Sequence, residues 1–461
     1  MTRRFTPARV VVGLAVLAAI GLALGPPIAG MSWQAQATAA LSLAAIALWA
    51  TAAIPEIVTS LLFFLFAVLL KVAEPAAIFS GFASSAFWLV FGGLVIGVAV
   101  KDTGLGARLA RALAARFGAS YLGIVAGMMG VGVVLGFLMP SSTGRIVLLL
   151  PVTMALAERF GFALGSRGYV GMVMATCYGA FVVPFTVLPA NVPNIVLTGM
   201  AEKLYGVEIV YGTYLLAHFP VLGAAKAVLA TWVIARLLPD APRRVETAAE
   251  VPTPLTRDEW KLAAILAGSL ALFVTDVLHH ISAAWISLGA AVLCLLPGIN
   301  LVSIKAFNEK IAFGSMYYVA AVLGIGAILD ASGLAAVLAR LLISVAPLAP
   351  GDTAVNSAVI VGFSVLLAFA TMLPGLVAAT APLCGRIAEA AGMPVSAVLH
   401  LQVLAFSTLV LPYQGPPMVI GLQLARVAIG PATKVCLAMA ALTVAVLFPL
   451  DYLWWRLIGL L

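Results

Sequence analysis

Charge is what this 461-residue sequence has least of: only 9% of its residues are Asp, Glu, Lys or Arg. Soluble domains carry about 25%. Here 64% of the chain is hydrophobic and the mean hydropathy is +1.16. That excludes a soluble fold and leaves a polytopic, all-α membrane protein. Cysteine is scarce as well. Cys177, Cys294, Cys384 and Cys436 stand singly in apolar stretches, without metal-ligand spacing or an evident disulfide pairing. Of the four histidines, His279 and His280 fall in a short interhelical turn and read as interfacial, not as a metal site; the others are His218 and His400. Catalytic sets are missing. Glu56 and Asp276 lie at helix ends, and no Ser/His/Asp or His/Cys cluster is expected at membrane depth, which argues against an enzyme. No signalling domain of the kind a receptor needs is visible, and no cofactor is expected. No small-x-small cleavage pattern follows the first apolar stretch, Val10 to Leu24, so a retained first helix is expected. The net charge of +8 is scattered over loops, which suits a cytoplasmic membrane face better than nucleic-acid binding.

What is there is organised around one polar island, Pro140-Ser141-Ser142-Thr143-Gly144-Arg145, with apolar Leu122–Met139 before it and Ile146–Leu156 after it. A bilayer-spanning helix needs about 20 apolar residues. Each flank is shorter, so a hairpin that enters and leaves on the same side is expected, with the polar tip buried in protein or facing water. An arginine at that depth is costly and points to function. The helix after the tip would aim free N–H groups and the positive end of its dipole at an anion.

The remaining spans follow in order. They are expected near Val10–Leu24, Ala39–Ile54, Val58–Val72 and Ala86–Val100, with an amphipathic helix in 101–117 where Leu105, Leu109 and Leu113 share a face opposite Arg108, Arg111 and Arg116. Val170 to Ala201 is too long for one span and breaks at Leu188-Pro189-Ala190-Asn191-Val192-Pro193-Asn194; Tyr214–Leu238 follows. Pro239 to Lys261 is the only hydrophilic stretch and reads as a linker. The second half then repeats the first: spans near Leu262–Thr275, Ala284–Leu296 and Met316–Leu329, an amphipathic piece to Ile343, a second hairpin over about Ala354–Ala391, and spans over Val395–Ala425 and Val435–Ile458. This makes about 11 transmembrane helices plus two re-entrant hairpins. Thr51 matches Thr275 at 224 positions, Thr103-Gly104-Leu105 matches Ser332-Gly333-Leu334 at 229, Pro151 matches Pro382 at 231, and Leu188-Pro189 matches Leu411-Pro412 at 223. So constant an offset indicates duplication. An odd number of crossings per repeat inverts the second copy. Inverted repeats with interrupted segments at matching positions mark secondary transporters, with the site at the repeat interface.

Lys and Arg set the orientation. With the N-terminus cytoplasmic, Arg108, Arg111, Arg159, Arg167, Arg236, Lys305 and Lys310 share its side, and Lys71, Lys203, Arg340 and Arg456 are among the few opposite. The C-terminus is then outside. Two tips and two breaks converge at membrane depth. Ser141, Ser142, Thr143, Asn191 and Asn194 supply oxygens for a cation such as sodium. The half-helix N-termini and Arg145, expected to face the substrate cavity, would receive a small anion.

At these residues the sequence resembles the divalent anion/sodium symporter family. The family's Ser-Asn-Thr tip, with proline ten residues after the serine, looks like Ser141-Ser142-Thr143 with Pro151. Its Pro-Pro-Asn break looks like Val192-Pro193-Asn194 and, in the second half, Pro416-Pro417-Met418. Leu48-Trp49-Ala50-Thr51-Ala52-Ala53-Ile54-Pro55 is similar to its Trp-x-Thr-Glu-Ala-Ile-Pro segment. The resemblance implies an elevator-type carrier of di- or tricarboxylates or sulfate in a bacterial inner membrane. It would be a lipid-embedded homodimer. Scaffold parts would cover 1–118 and 261–350, moving parts 119–240 and 351–461, with the linker at 241–260. It implies two sodium sites around one substrate site, with Ser141, Ser142, Thr143, Arg145, Pro193, Asn194, Gly375, Gln414, Pro416 and Pro417 as candidate substrate contacts. The sequence departs from the pattern at Ser142, at Thr371-Met372-Leu373-Pro374-Gly375 and at Met418. At most one sodium site built from side chains is therefore expected, in the first half; protons or exchange are the alternative drive.

Overall fold

The computed structural model describes residues 7–26, 28, 30–51, 53–114, 120–243, 254–369, 371 and 373–461. Ala52, Arg116 and Met372 lie outside the described residues. Every regular element among those described is helical. In the first half these are α1 (Pro7–Leu24), α2 (Trp33–Thr51), α3 (Glu56–Leu69), α4 (Ser85–Thr103), α5 (Leu105–Ala114), α6 (Tyr121–Leu138), α7 (Ser142–Arg159), α8 (Arg167–Cys177), α9 (Val192–Tyr205) and α10 (Tyr211–Leu237). In the second half come α11 (Arg257–Val274), α12 (Ala283–Leu295), α13 (Phe313–Ala331), α14 (Leu334–Val345), α15 (Thr353–Leu367), α16 (Leu373–Thr380), α17 (Cys384–Ala391), α18 (Val395–Phe406), α19 (Pro416–Leu424) and α20 (Ile429–Leu457). Short helical turns at Pro75–Ile78, Asp276–His279 and Ile304–Lys310 lie between them.

The repeat is visible in local backbone. Gly104 ends α4 at φ 80 and Gly333 ends α13 at φ 78, and each is followed at once by an amphipathic helix. Both positions need the left-handed conformation that glycine takes without a Cβ penalty. The repeat is visible in packing too. α4 packs on α12, and α13, the counterpart of α4, packs on α3, the counterpart of α12. Likewise α7, which follows the first tip, packs on α19, whereas α16, which follows the second, packs on α9. Reciprocal exchange of this kind is what two related halves produce when each completes the other.

Two expectations about the hairpins change. The flanks of the first tip are not short: α6 and α7 each run 18 residues, or about 27 Å at 1.5 Å per residue. The polar tip residues and the segment through Arg159 continue the helix that the apolar run alone suggested. α6 is one of six helices among the described residues that are long and apolar enough to cross a membrane. The second hairpin differs from the first in its outgoing arm. Pro151 is accommodated inside α7, but at Pro382 the arm breaks into α16, a 3-10 turn over Ala381–Leu383, and α17. The breaks also align one residue further on than expected. The 3-10 turns Leu188–Ala190 and Pro412–Gln414 lie 224 positions apart (412 − 188), which sets Asn194 opposite Met418.

Among the described residues there are three wide π turns, at Tyr178–Val182 after α8, at Phe219–Ala225 within α10 and at Thr443–Leu447 within α20. Such turns mark functional segments more often than chance. The halves are pinned at the polar face by ion pairs: Arg108 on α5 with Glu259 on α11 at 2.7 Å, and Lys310 with Asp102 at 2.6 Å.

Candidate functional site

The first tip is built by capping. Ser141 precedes α7 in extended conformation, and its hydroxyl accepts from the Gly144 N–H at 3.2 Å. The tip leans on α4, where Gly93 leaves room: a Cβ there would lie 2.8 Å from the Pro140 side chain. Ser142 and Thr143 are half-buried, and their hydroxyls have no hydrogen-bond partner among the described residues.

Behind the tip lies the first break. Pro184 has no N–H, so the carbonyl of Ala180 four residues earlier loses its helical donor. Arg145 fills the gap. Its Nε donates to Ala180 O at 2.7 Å, Nη1 to Ala190 O at 3.1 Å and to Met139 O, and Nη2 to Asn191 Oδ1 at 2.9 Å. The side chain is fully buried. Arg145 was expected as an open charge facing the substrate. Instead it takes four oxygens from the tip and the break, the kind of oxygen set a hard cation would need. It acts here as a positioning residue that ties α7 to the segment 178–191. Asn191 is occupied in the same way: Oδ1 by Arg145, and Nδ2 donating to Phe181 O at 2.9 Å.

Asn194 differs. Its Nδ2 donates to Val187 O at 2.8 Å, but its Oδ1 is buried and has no partner among the described residues. Buried carbonyl oxygens are normally paired. Asn194 Oδ1 is therefore the one candidate ligand oxygen of the expected set that is buried and vacant of any bond. Pro193 sits in the first turn of α9, where its missing N–H is harmless.

The second half is poorer in donors. α19 opens with Pro416 and Pro417, which have no N–H to offer an anion, and the Met418 N–H is spent on Gly415 O at 2.9 Å. Gln414, a candidate substrate contact, is fully buried and braced. Its Oε1 accepts from the N–H groups of Val410 and Leu411, both at 2.8 Å, and its Nε2 donates to Ala368 O at the end of α15 at 2.8 Å. Tyr413 reinforces the tie by donating to Phe369 O at 2.9 Å. Gly375 gives Thr371 room; a Cβ there would lie 2.4 Å from the Thr371 hydroxyl.

The breaks meet. A Cβ at Gly415 would lie 2.3 Å from the Phe181 ring, Phe185 and Phe406 have centroids 5.5 Å apart, and Gly421 on α19 sits against Ile146 on α7. Tyr169 of α8 donates to Ala425 O just past α19, at 2.9 Å. The interrupted segments of both halves thus surround one centre.

One cluster was not anticipated. No catalytic Ser/His/Asp or His/Cys set is involved; what lies buried between α10, α18 and α20 are two ionisable pairs, His218 with His400 and Lys226 with Asp451. Each was visible in the sequence as an ionisable residue inside an apolar span, but they come from segments up to 233 residues apart (451 − 218), so only folding assembles them.

The sodium:sulfate symporter transmembrane region matches the chain over residues 7–461. A membrane protein of Cupriavidus necator is 24% identical over 402 residues, covering 82% of this chain and 76% of that one. The citrate/succinate antiporter of Escherichia coli K12 is 27% identical over 209 residues, covering 42% of each. The Alcanivorax borkumensis YdaH transporter has the same fold, with a TM-score of 0.55 at 20% identity over 87% of this chain and 89% of its own. A fold of interrupted helices meeting at one polar centre and a match from end to end of the described chain lead to one conclusion: the protein belongs to the sodium:sulfate symporter family of integral membrane transport proteins, and its centre is that of a carrier, not of an enzyme.

Proposed function

We propose that this protein is a secondary active carrier of small organic dianions or trianions, di- or tricarboxylates before sulfate, in a bacterial inner membrane. The convergence of two tips and two breaks on one centre carries the proposal. The anion would be received at the N-terminus of α7, where the Ser142 and Thr143 hydroxyls are unpaired and the helix dipole is positive. Asn194 would add an oxygen for a co-transported cation. The likeness to a citrate/succinate antiporter over part of the chain favours carboxylates. Movement would be of elevator type, with α6–α10 and α15–α20 travelling against α1–α4 and α11–α13, in a homodimer whose N-terminus is cytoplasmic.

A second reading concerns the drive. Arg145 already occupies four of the oxygens between the first tip and break, and the second half offers few. That favours exchange or proton drive over a two-sodium mechanism. Purified protein in liposomes preloaded with unlabelled succinate, citrate or sulfate tests both. Counterflow of labelled succinate or citrate without sodium is expected. No counterflow with any of the three anions, with or without sodium, would overturn the substrate assignment; strict sodium dependence would overturn the second reading.

A further inference from the structure

We propose that Lys226 and Asp451, reached through His218 and His400, form a proton-binding site that loads the second helix break with positive charge. The proposal rests on the carrier reading for its purpose, though not for its chemistry.

Asp451 on α20 is fully buried, and neither of its carboxylate oxygens has a hydrogen-bond partner among the described residues. An ionised carboxylate in that position is strongly disfavoured unless paired. Lys226, in the middle of α10, is the charged group whose field acts on it, but the ammonium is bonded elsewhere. It donates to Ser407 O at 3.0 Å and to Ser407 Oγ at 3.3 Å. Ser407 caps the C-terminal end of α18, where the break toward Gln414 begins and freed carbonyls favour a cation. The arrangement is that of a protonated site. With Asp451 as the neutral acid, Lys226 keeps its charge on the break; when the proton leaves Asp451 to water, the carboxylate draws the ammonium back and the Ser407 carbonyl is released. One proton bound gives one net positive charge at the break, where the sequence has few oxygens to hold a metal cation.

The proton would enter by way of the histidine pair. A cavity of about 210 Å³ is lined by Glu208, Val210, Thr213, Ser396, His400 and Leu460. That is room for several waters at about 30 Å³ each. His400 Nδ1 and His218 Nε2 are 2.9 Å apart and share one proton, and the far nitrogen of His218, Nδ1, is buried and unpartnered among the described residues. His218 packs against Trp455, one helical turn beyond Asp451, and the Trp455 indole N–H is spent on Ala217 O at 2.9 Å. The other ionisable groups on the packed elements do not compete. Arg236, Arg456, Lys434, Arg167 and Glu208 are exposed, Asp276 accepts from the Tyr211 N–H at 2.6 Å, Tyr214, packed against His218, donates its hydroxyl to Phe185 O at 2.7 Å, and Tyr178, Cys177 and Cys436 are buried apart from the pair.

The full-length protein in lipid nanodiscs is titrated by infrared difference spectroscopy from about pH 5 to about pH 9. A carbonyl band of a buried carboxylic acid should titrate in the wild type, vanish in Asp451→Asn and change its midpoint in Lys226→Met. Coincident wild-type and Asp451→Asn spectra would overturn the site. The double variant Lys226→Met/Asp451→Asn guards against misfolding, because replacing a buried pair by neutral groups together is commonly tolerated where removing one partner is not. It should elute and melt as a folded protein and show no such band; a band persisting in it also overturns the site. In proteoliposomes, an inward proton gradient should accelerate [14C]succinate entry in the wild type and not in Asp451→Asn. Equal acceleration in both overturns the coupling. Absence of succinate movement in the wild type counts against the substrate assignment alone, because the infrared titration still decides the site.

Discussion

Arg145→Ala removes a guanidinium that donates to Ala180 O, Ala190 O, Met139 O and Asn191 Oδ1. Each buried acceptor left unpaired costs about 1–3 kcal/mol. Four such losses are partly offset, because a cation no longer has to be held out of water, a relief of several kcal/mol. The balance is a loss of about 3 kcal/mol, concentrated where the first tip meets the first break. Arg145→Lys should rescue little, because three donors on a single nitrogen cannot reach acceptors on three segments. The assay is thermal unfolding of both variants in detergent at one fixed scan rate, since membrane proteins of this size unfold irreversibly and the midpoint depends on rate. Both should melt several degrees below the wild type, and uptake should fall with stability. An Arg145→Ala protein that melts with the wild type and yet binds no anion would refute the latch and return Arg145 to the substrate.

The remaining predictions are simpler to check. Reporter fusions in the linker over Pro239–Lys261 and after Leu461 should report opposite sides of the membrane; the same side for both would sink the inverted repeat. Any sodium dependence of uptake should show a Hill coefficient near one. Ser141→Ala should weaken that dependence and cost about 1 kcal/mol of capping, whereas Thr371→Ala should leave it nearly unchanged; a coefficient above two with equal damage from both would mean that backbone carbonyls rebuild a second site. Gly93→Val should push its side chain into Pro140, cost about 1–3 kcal/mol of overpacking and slow exchange of labelled succinate, and wild-type rates in that variant would show that the tip does not slide on α4.

Much of the scaffold was legible because it is written in apolar run lengths and in glycines. Gly104 and Gly333 fix two helix ends by a conformation few other residues adopt, and their spacing reveals the duplication without any contact information. The break at Val187–Asn191 was legible for the same kind of reason, since prolines remove donors at fixed places. The role of Arg145 was not. Its partners are mainly backbone oxygens, which carry no sequence label, and two of them lie 35 and 45 residues away across a π turn. One clue existed: Pro184 deprives Ala180 O of its donor, so an acceptor in search of a partner could have been named. Gln414 misled in a similar way, because an amide reads as a ligand until its oxygen and nitrogen are seen bound to Val410, Leu411 and Ala368. His218, Lys226, His400 and Asp451 were passed over because each alone resembles an isolated polar residue in a span. Intramembrane ionisable residues merit a functional hypothesis one at a time.

The π turn in α10 has a consequence for chain length. Residues on a regular helix advance by about 100° each, so the extra residue held in Phe219–Ala225 sets the rotational phase between His218 and everything after it. Deleting any one residue there would straighten the helix into ordinary geometry and make it locally more regular. It would also swing the Lys226 side chain by about a quarter-turn, off Ser407 and away from Asp451. Thr443–Leu447 sets the phase of Asp451 in the same manner, and Tyr178–Val182 that of the Ala180 carbonyl. Length in these three short windows therefore decides which side chains meet at the polar centre, and a chain with one residue more or fewer in any of them would carry a different polar centre on the same fold.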